Sequence, residues 1–113
     1  MHSFKIKSRI WVELDGEEFL GEGKVSLLKA IDETGSLSKA AKAINISYKK
    51  AWHLMDSVNK TSKKPVTINS IGGKGGGGTV LTPYGKSLIS VFEEMNVKCW
   101  KFLDVQLEKI KSL

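Results

Sequence analysis

Eight lysines fall between residues 36 and 78, and Asp56 is the only acid among them. The flanks are close to neutral: residues 1–35 hold five basic and seven acidic side chains, and residues 79–113 hold five and four. The formal charge of +6 is therefore concentrated in one central segment, as an electrostatic footprint for phosphates requires, whereas a solubility charge would be spread out. Two stretches of that segment carry side chains of the right type. In Ser47-Tyr48-Lys49-Lys50, with His53 one helical turn further on, hydroxyl, phenol, ammonium and imidazole groups can donate to phosphate oxygens or base edges. In Gly72-Gly73-Lys74-Gly75-Gly76-Gly77-Gly78, six glycines surround one lysine. Without Cβ atoms such a tip can bring backbone N–H groups against a sugar-phosphate backbone while Lys74 supplies charge.

Other chemistries find little footing. Two histidines, one cysteine and scattered carboxylates form no spacing that suggests acid-base, nucleophilic or metal chemistry, so no enzyme, metal or cofactor is expected. A nucleotide-binding loop requires G-x-x-x-x-G-K-[ST] between a strand and a helix, but Gly75 follows Lys74 and a strand-like TVLT follows the glycines. Cys99 lies on an apolar helical stripe and reads as a small hydrophobe; being alone, it permits no intrachain disulfide and fits a reducing cytoplasm. No apolar run approaches membrane-spanning length and residues 1–4 begin nothing like a signal peptide, so a soluble cytoplasmic protein with no membrane partner is expected.

At 113 residues and 41% hydrophobic composition, one domain spanning 1–113 is expected, mainly α with a small β content. It divides into a strand or hairpin over 1–22, three helices and a hairpin over 23–82, and a long helix over 83–113. The positioning element is Gly35 to Asn59, GSLSKAAKAINISYKKAWHLMDSVN. Ala40, Ala41 and Ile44 give a first helix an apolar face, Asn45 and Ile46 turn the chain, and Ser47 caps a second helix. Ala51, Trp52, Met55 and Val58 are expected on that helix's buried side, with Tyr48, Lys49, Lys50 and His53 exposed. This is a helix-turn-helix, whose second helix enters the major groove of DNA.

Upstream, Phe4 to Leu14 alternates as a strand with Phe4, Ile6, Ile10, Val12 and Leu14 on one face. Asp15-Gly16 signals a type I′ hairpin that would set Val12 opposite Phe19. Trp11 falls on the polar face, where it either covers the sheet edge or packs on a partner subunit. A helix over 24–34 with Val25, Leu28 and Ile31 inside is ended by Gly35. Downstream, strands Val66 to Ser70 and Thr79 to Thr82 flank the glycines and form a wing. Thr82-Pro83 then opens a helix of about 28 residues, roughly 40 Å long. Its stripe of Leu88, Phe92, Met95, Cys99 and Phe102 gives way to Leu103, Leu107 and Ile110. The far half outruns so small a domain, so a homodimer through this helix is expected, with Trp11, Phe92, Met95, Cys99, Phe102, Leu103, Leu107 and Ile110 at the interface.

The helix-turn-helix stretch followed by GGKGGGGTVLTPYG resembles the N-terminal DNA-binding domain of the ModE family of molybdate-responsive transcriptional regulators, from about Gly23 to Leu88. SYKKAW is similar to the start of that family's recognition helix, and the family is distantly related to LysR-type winged helix-turn-helix regulators. The resemblance implies a dimer on a palindromic operator. Full-length members continue into molybdate-binding domains, and this chain stops at Leu113, so molybdate sensing is not implied by the residues present.

On this reading double-stranded DNA is the partner. Tyr48, Lys50 and His53 are candidates for base edges, Ser47 and Lys49 for phosphates, and Lys39, Lys60 and Lys74 for phosphate neutralisation; Ser36, Ser38, Gly75 and Gly76 complete the candidate surface. Two other classes fit parts of the chain. A small oxyanion or phosphate-ligand carrier would use the glycine loop as its cradle and needs a helix directly after it. A dimerising interaction module would use the long helix alone.

Overall fold

The computed structural model describes residues 3–70 and 78–113. Among the described residues it is a winged helix-turn-helix of four helices and two antiparallel two-stranded sheets. Strands β1 (Val12–Leu14) and β2 (Glu17–Leu20) join through Asp15 at φ 52° and Gly16 at φ 84°. Both central residues of a type I′ turn need positive φ, so the Asp-Gly signal is borne out. The register is not. Val12 pairs with Leu20 because a bulge follows Glu13↔Glu18, and the extra residue, Phe19, packs half-buried while Leu20 turns into the core.

The expected strand over Phe4 to Leu14 is also shorter. β2 ends at the start of α1, so residues 3–11 have no strand to pair with. They run instead beside the far half of the C-terminal helix, where Ser8 Oγ lies 4.0 Å from Cys99 Sγ. Ile6 lines a groove with Trp100 and Leu103, and Phe4 lines one with Leu107. Of the predicted inner face, only Ile10 and Val12 pack on the core; Phe4, Ile6 and Leu14 stay exposed.

Helix α1 (Glu22–Thr34) buries Val25, Leu27, Leu28, Ala30 and Ile31 and ends as predicted at Gly35, whose φ is 68°. Helices α2 (Leu37–Ala43) and α3 (Tyr48–Thr61) follow. Ala40, Ala41 and Ala51 are buried at their meeting point, where larger side chains would hold the backbones apart. Asn45 makes the turn in the left-handed region at φ 58°. Strands β3 (Thr67–Ser70) and β4 (Gly78–Leu81) form the wing base, pairing Thr67 with Leu81 through Ser70 with Gly78.

Helix α4 (Pro83–Lys111) is 29 residues long and opens on Thr82, whose Oγ1 accepts the Gly85 N–H at 3.0 Å. Ile89 and Phe92 join the core beside Val66 and Leu81. The far half is not as bare as its length suggests, since Leu107 is buried in a groove shared with the N-terminal segment. Phe92 and Leu107 are thus covered by their own chain. The exposed apolar side of α4 is a different stripe, which includes Val91, Met95, Phe102 and Val105.

Candidate nucleic-acid interface

The surface is built on the first two turns of α3. Ser47 caps the helix by accepting the Lys50 N–H at 3.0 Å, and Ser36 caps α2 by accepting the Lys39 N–H at 3.1 Å. Each hydroxyl keeps its own proton free to donate. Behind the cap, Ala51, Leu54, Met55 and Val58 face the core, and that choice fixes everything else on the helix. Tyr48, Lys49, Lys50 and His53 are exposed.

Trp52 is exposed as well, which corrects the expected packing. Each residue advances about 100° round a helix, and with Ala51 fully buried its neighbour is carried out of the core. Trp52 is 43% exposed and Tyr48, one turn before it, 57%. The His53 ring meets the indole edge-on, with centroids 5.4 Å apart and planes at 81°. The outward face is therefore aromatic as well as cationic, a feature that the sequence pattern concealed because Trp52 sits beside the apolar positions.

Other candidates surround this face. Ser38, Lys39 and Lys60 are exposed, and Lys60 pairs with Asp56 at 2.9 Å, which neutralises it locally. Lys74, Gly75 and Gly76 lie outside the described residues. Ser36, Ser38 and Tyr48 share a groove with Asn69, Ser70 and Thr79 of the wing base. Asn69 and Ser70 had no sequence signal beyond lying on a short strand.

Three sets of hydrogen bonds hold the face in place. Asn59, near the end of α3, accepts the Val66 N–H at 2.8 Å and the Thr67 N–H at 3.1 Å, and donates to Thr67 Oγ1 at 2.8 Å. The wing is thereby fixed to the end of α3. On the other side, the Thr79 N–H donates to the Gly35 carbonyl at 3.0 Å, joining β4 to the α1–α2 corner. Lys24 is a buried cation, 5% exposed, whose ammonium donates to the Glu18 carbonyl and to Ser57 Oγ and so links β2, α1 and α3.

The glycine run leads into β4, paired with β3, where a nucleotide- or oxyanion-cradling loop would need a helix. The carrier reading loses its structural requirement there. Among the described residues no cluster of His, Cys, Asp or Glu could hold a metal ion, and no helix is long and apolar enough to cross a membrane.

No family model matches the chain. Along its whole length it is 30% identical to the molybdenum transport protein ModE of Azotobacter vinelandii, of which it spans 42%. Over 82 residues, 73% of the chain, it is 39% identical to the transcriptional regulator ModE of Haemophilus influenzae, of which it covers 32%. A similar stretch is 42% identical to the DNA-binding transcriptional dual regulator ModE of Escherichia coli, with 31% of that protein covered. The chain thus spans well under half the length of these relatives. The similarities support a relationship with proteins named ModE.

Proposed function

We propose that this chain is a sequence-specific DNA-binding transcriptional regulator of the ModE type, acting in the cytoplasm as a homodimer on a palindromic operator. The observation that carries the reading is the outward face of α3: Tyr48, Lys49, Trp52 and His53 stand exposed on a helix whose other side is fixed to the core, in the most positive segment of the chain. A recognition helix in the major groove needs that combination of donors, charge and rigidity. The relatives' names support the reading. The Escherichia coli protein is named as a DNA-binding regulator, and the Azotobacter protein for molybdenum transport. Control of genes for molybdenum uptake is accordingly the proposed role.

The dimer forms through α4. Val91, Met95, Phe102 and Val105 follow steps of four and three once Lys98 is counted between Met95 and Phe102, the spacing of a helix-helix seam. Ile110 contributes beside it, Cys99 and Leu103 flank it where the N-terminal segment runs along the helix, and Trp11 extends the surface from the hairpin side. Two-fold symmetry then places the recognition helices in successive major grooves, with half-sites about 34–36 Å apart.

The test is a binding titration on random duplex and on DNA from upstream of the chain's own gene, at two salt concentrations, with and without molybdate. Salt-steep binding that prefers one duplex is expected. Absence of binding to either duplex at low salt would overturn the reading, and a molybdate effect on the titration would show sensing within these residues.

A further inference from the structure

We infer that Trp52 and Tyr48 read thymine methyl groups, so that each operator half-site carries thymines within about two base-pair steps of one another. The inference rests on the DNA-binding reading and names what the aromatic part of that surface recognises. Both rings project from one shoulder of α3, one turn apart, and neither belongs to the core. Each leaves a large apolar surface in water on a face otherwise made of lysines and a histidine. Lys49 and Lys50 beside them and Lys39 on α2 fit a polyanion, and would hold the helix against phosphates. In the major groove one exposed group of the base edges is apolar, the thymine C5-methyl; the rest are hydrogen-bond donors and acceptors. An indole face gains from burial against that methyl, and not against a bare amino or carbonyl edge.

The His53 ring set edge-on to Trp52 restrains the indole on this face. Four residues of helix advance about 6 Å, close to two base-pair steps of about 3.4 Å each. The two rings are therefore spaced to cover methyls about two base pairs apart. His53, exposed on the same face, remains for hydrogen bonding.

The experiment begins with selection of bound duplexes from a randomised library, followed by titration of the selected duplex with single thymines replaced by deoxyuridine, which removes the methyl alone. Loss of affinity of about four-fold is expected at one or two positions of each half-site, the value of one buried methyl. Trp52→Ala is expected to make one of those positions indifferent to the replacement, and Tyr48→Ala the other. Selection of no sequence would overturn the DNA-binding reading itself. A selected duplex whose binding is unchanged by every deoxyuridine replacement would leave DNA binding standing and overturn the thymine reading, with no variant needed. So would a Trp52→Ala protein that keeps the full deoxyuridine sensitivity.

Discussion

Asn59 does for the wing what no strand pairing could do, satisfying two backbone N–H groups and one hydroxyl from a single side chain. Asn59→Ala leaves two N–H donors and one hydroxyl acceptor without their partner, and unfolding free energy is expected to fall by about 2–3 kcal/mol in urea titrations. A hydroxyl cap is a smaller matter. Ser47→Ala removes the acceptor for the Lys50 N–H and is expected to cost about 1 kcal/mol by the same measurement, with α3 fraying at its N-terminus. Lys39 is exposed and its ammonium has no role in the core. Lys39→Ala is expected to weaken binding to all duplexes alike and to lower the slope of log affinity against log salt by about 1.

At the scale of elements, the wing is held between α4 and the α1–α2 corner by close backbone approach. A Cβ at Gly85, in the first turn of α4, would stand 2.5 Å from the Val66 carbonyl and 2.7 Å from Leu81 Cδ1. One at Gly78 would stand 2.5 Å from the Gly35 carbonyl. Backbone on both sides cannot give way cheaply. Gly85→Ala is therefore expected to destabilise by about 1–3 kcal/mol, read as a lower urea midpoint at unchanged slope, despite alanine's better helix propensity. Gly35 adds a conformational demand, since φ 68° strains any residue with a side chain.

The whole molecule is 63 Å long and 22 Å thin, with α4 as its spine. An exposed apolar stripe on so slender a body is the basis for the proposed dimer, and Phe102 and Val105 are its most exposed large hydrophobic side chains before the C-terminal residue. The double change Phe102→Glu with Val105→Glu is expected to give a monomer by light scattering, with helical content unchanged and operator affinity reduced to that of one half-site. Exposed ion pairs add little to the fold. The hydrogen bond from Lys98 holds the Glu94 carboxyl below its ordinary range and raises the Lys98 ammonium, and Glu93 likewise raises Lys29. The carboxylate contribution is lost as pH falls through its lowered value and the ammonium contributions as pH rises through theirs, so all are present near neutrality and none makes stability change with pH there.

The amino-acid sequence by itself determined the order and type of the elements, because their signals are local. Asp15-Gly16 demands positive φ, Gly35 ends a helix, Ser47 and Thr82 cap the next ones, and each requirement is met within a few residues. The charge of the central segment is equally a property of the chain alone. Tertiary structure decided which way the faces turn. Trp52 belongs to an apolar run by composition, but the face of α3 turned to the core is the one carrying Ala51, Leu54, Met55 and Val58, which leaves Trp52 outward. Phe4 to Ile10 alternate like a strand, but a strand requires a partner and β2 is spent after four residues, so the segment lies along α4 instead. Asn59 and Lys24 carry no local signal, since their partners are seven or more residues away or on other elements. Hydrogen bonds and packing between distant parts of the chain exist only once the chain is folded, and they are what turned a legible set of elements into one oriented surface.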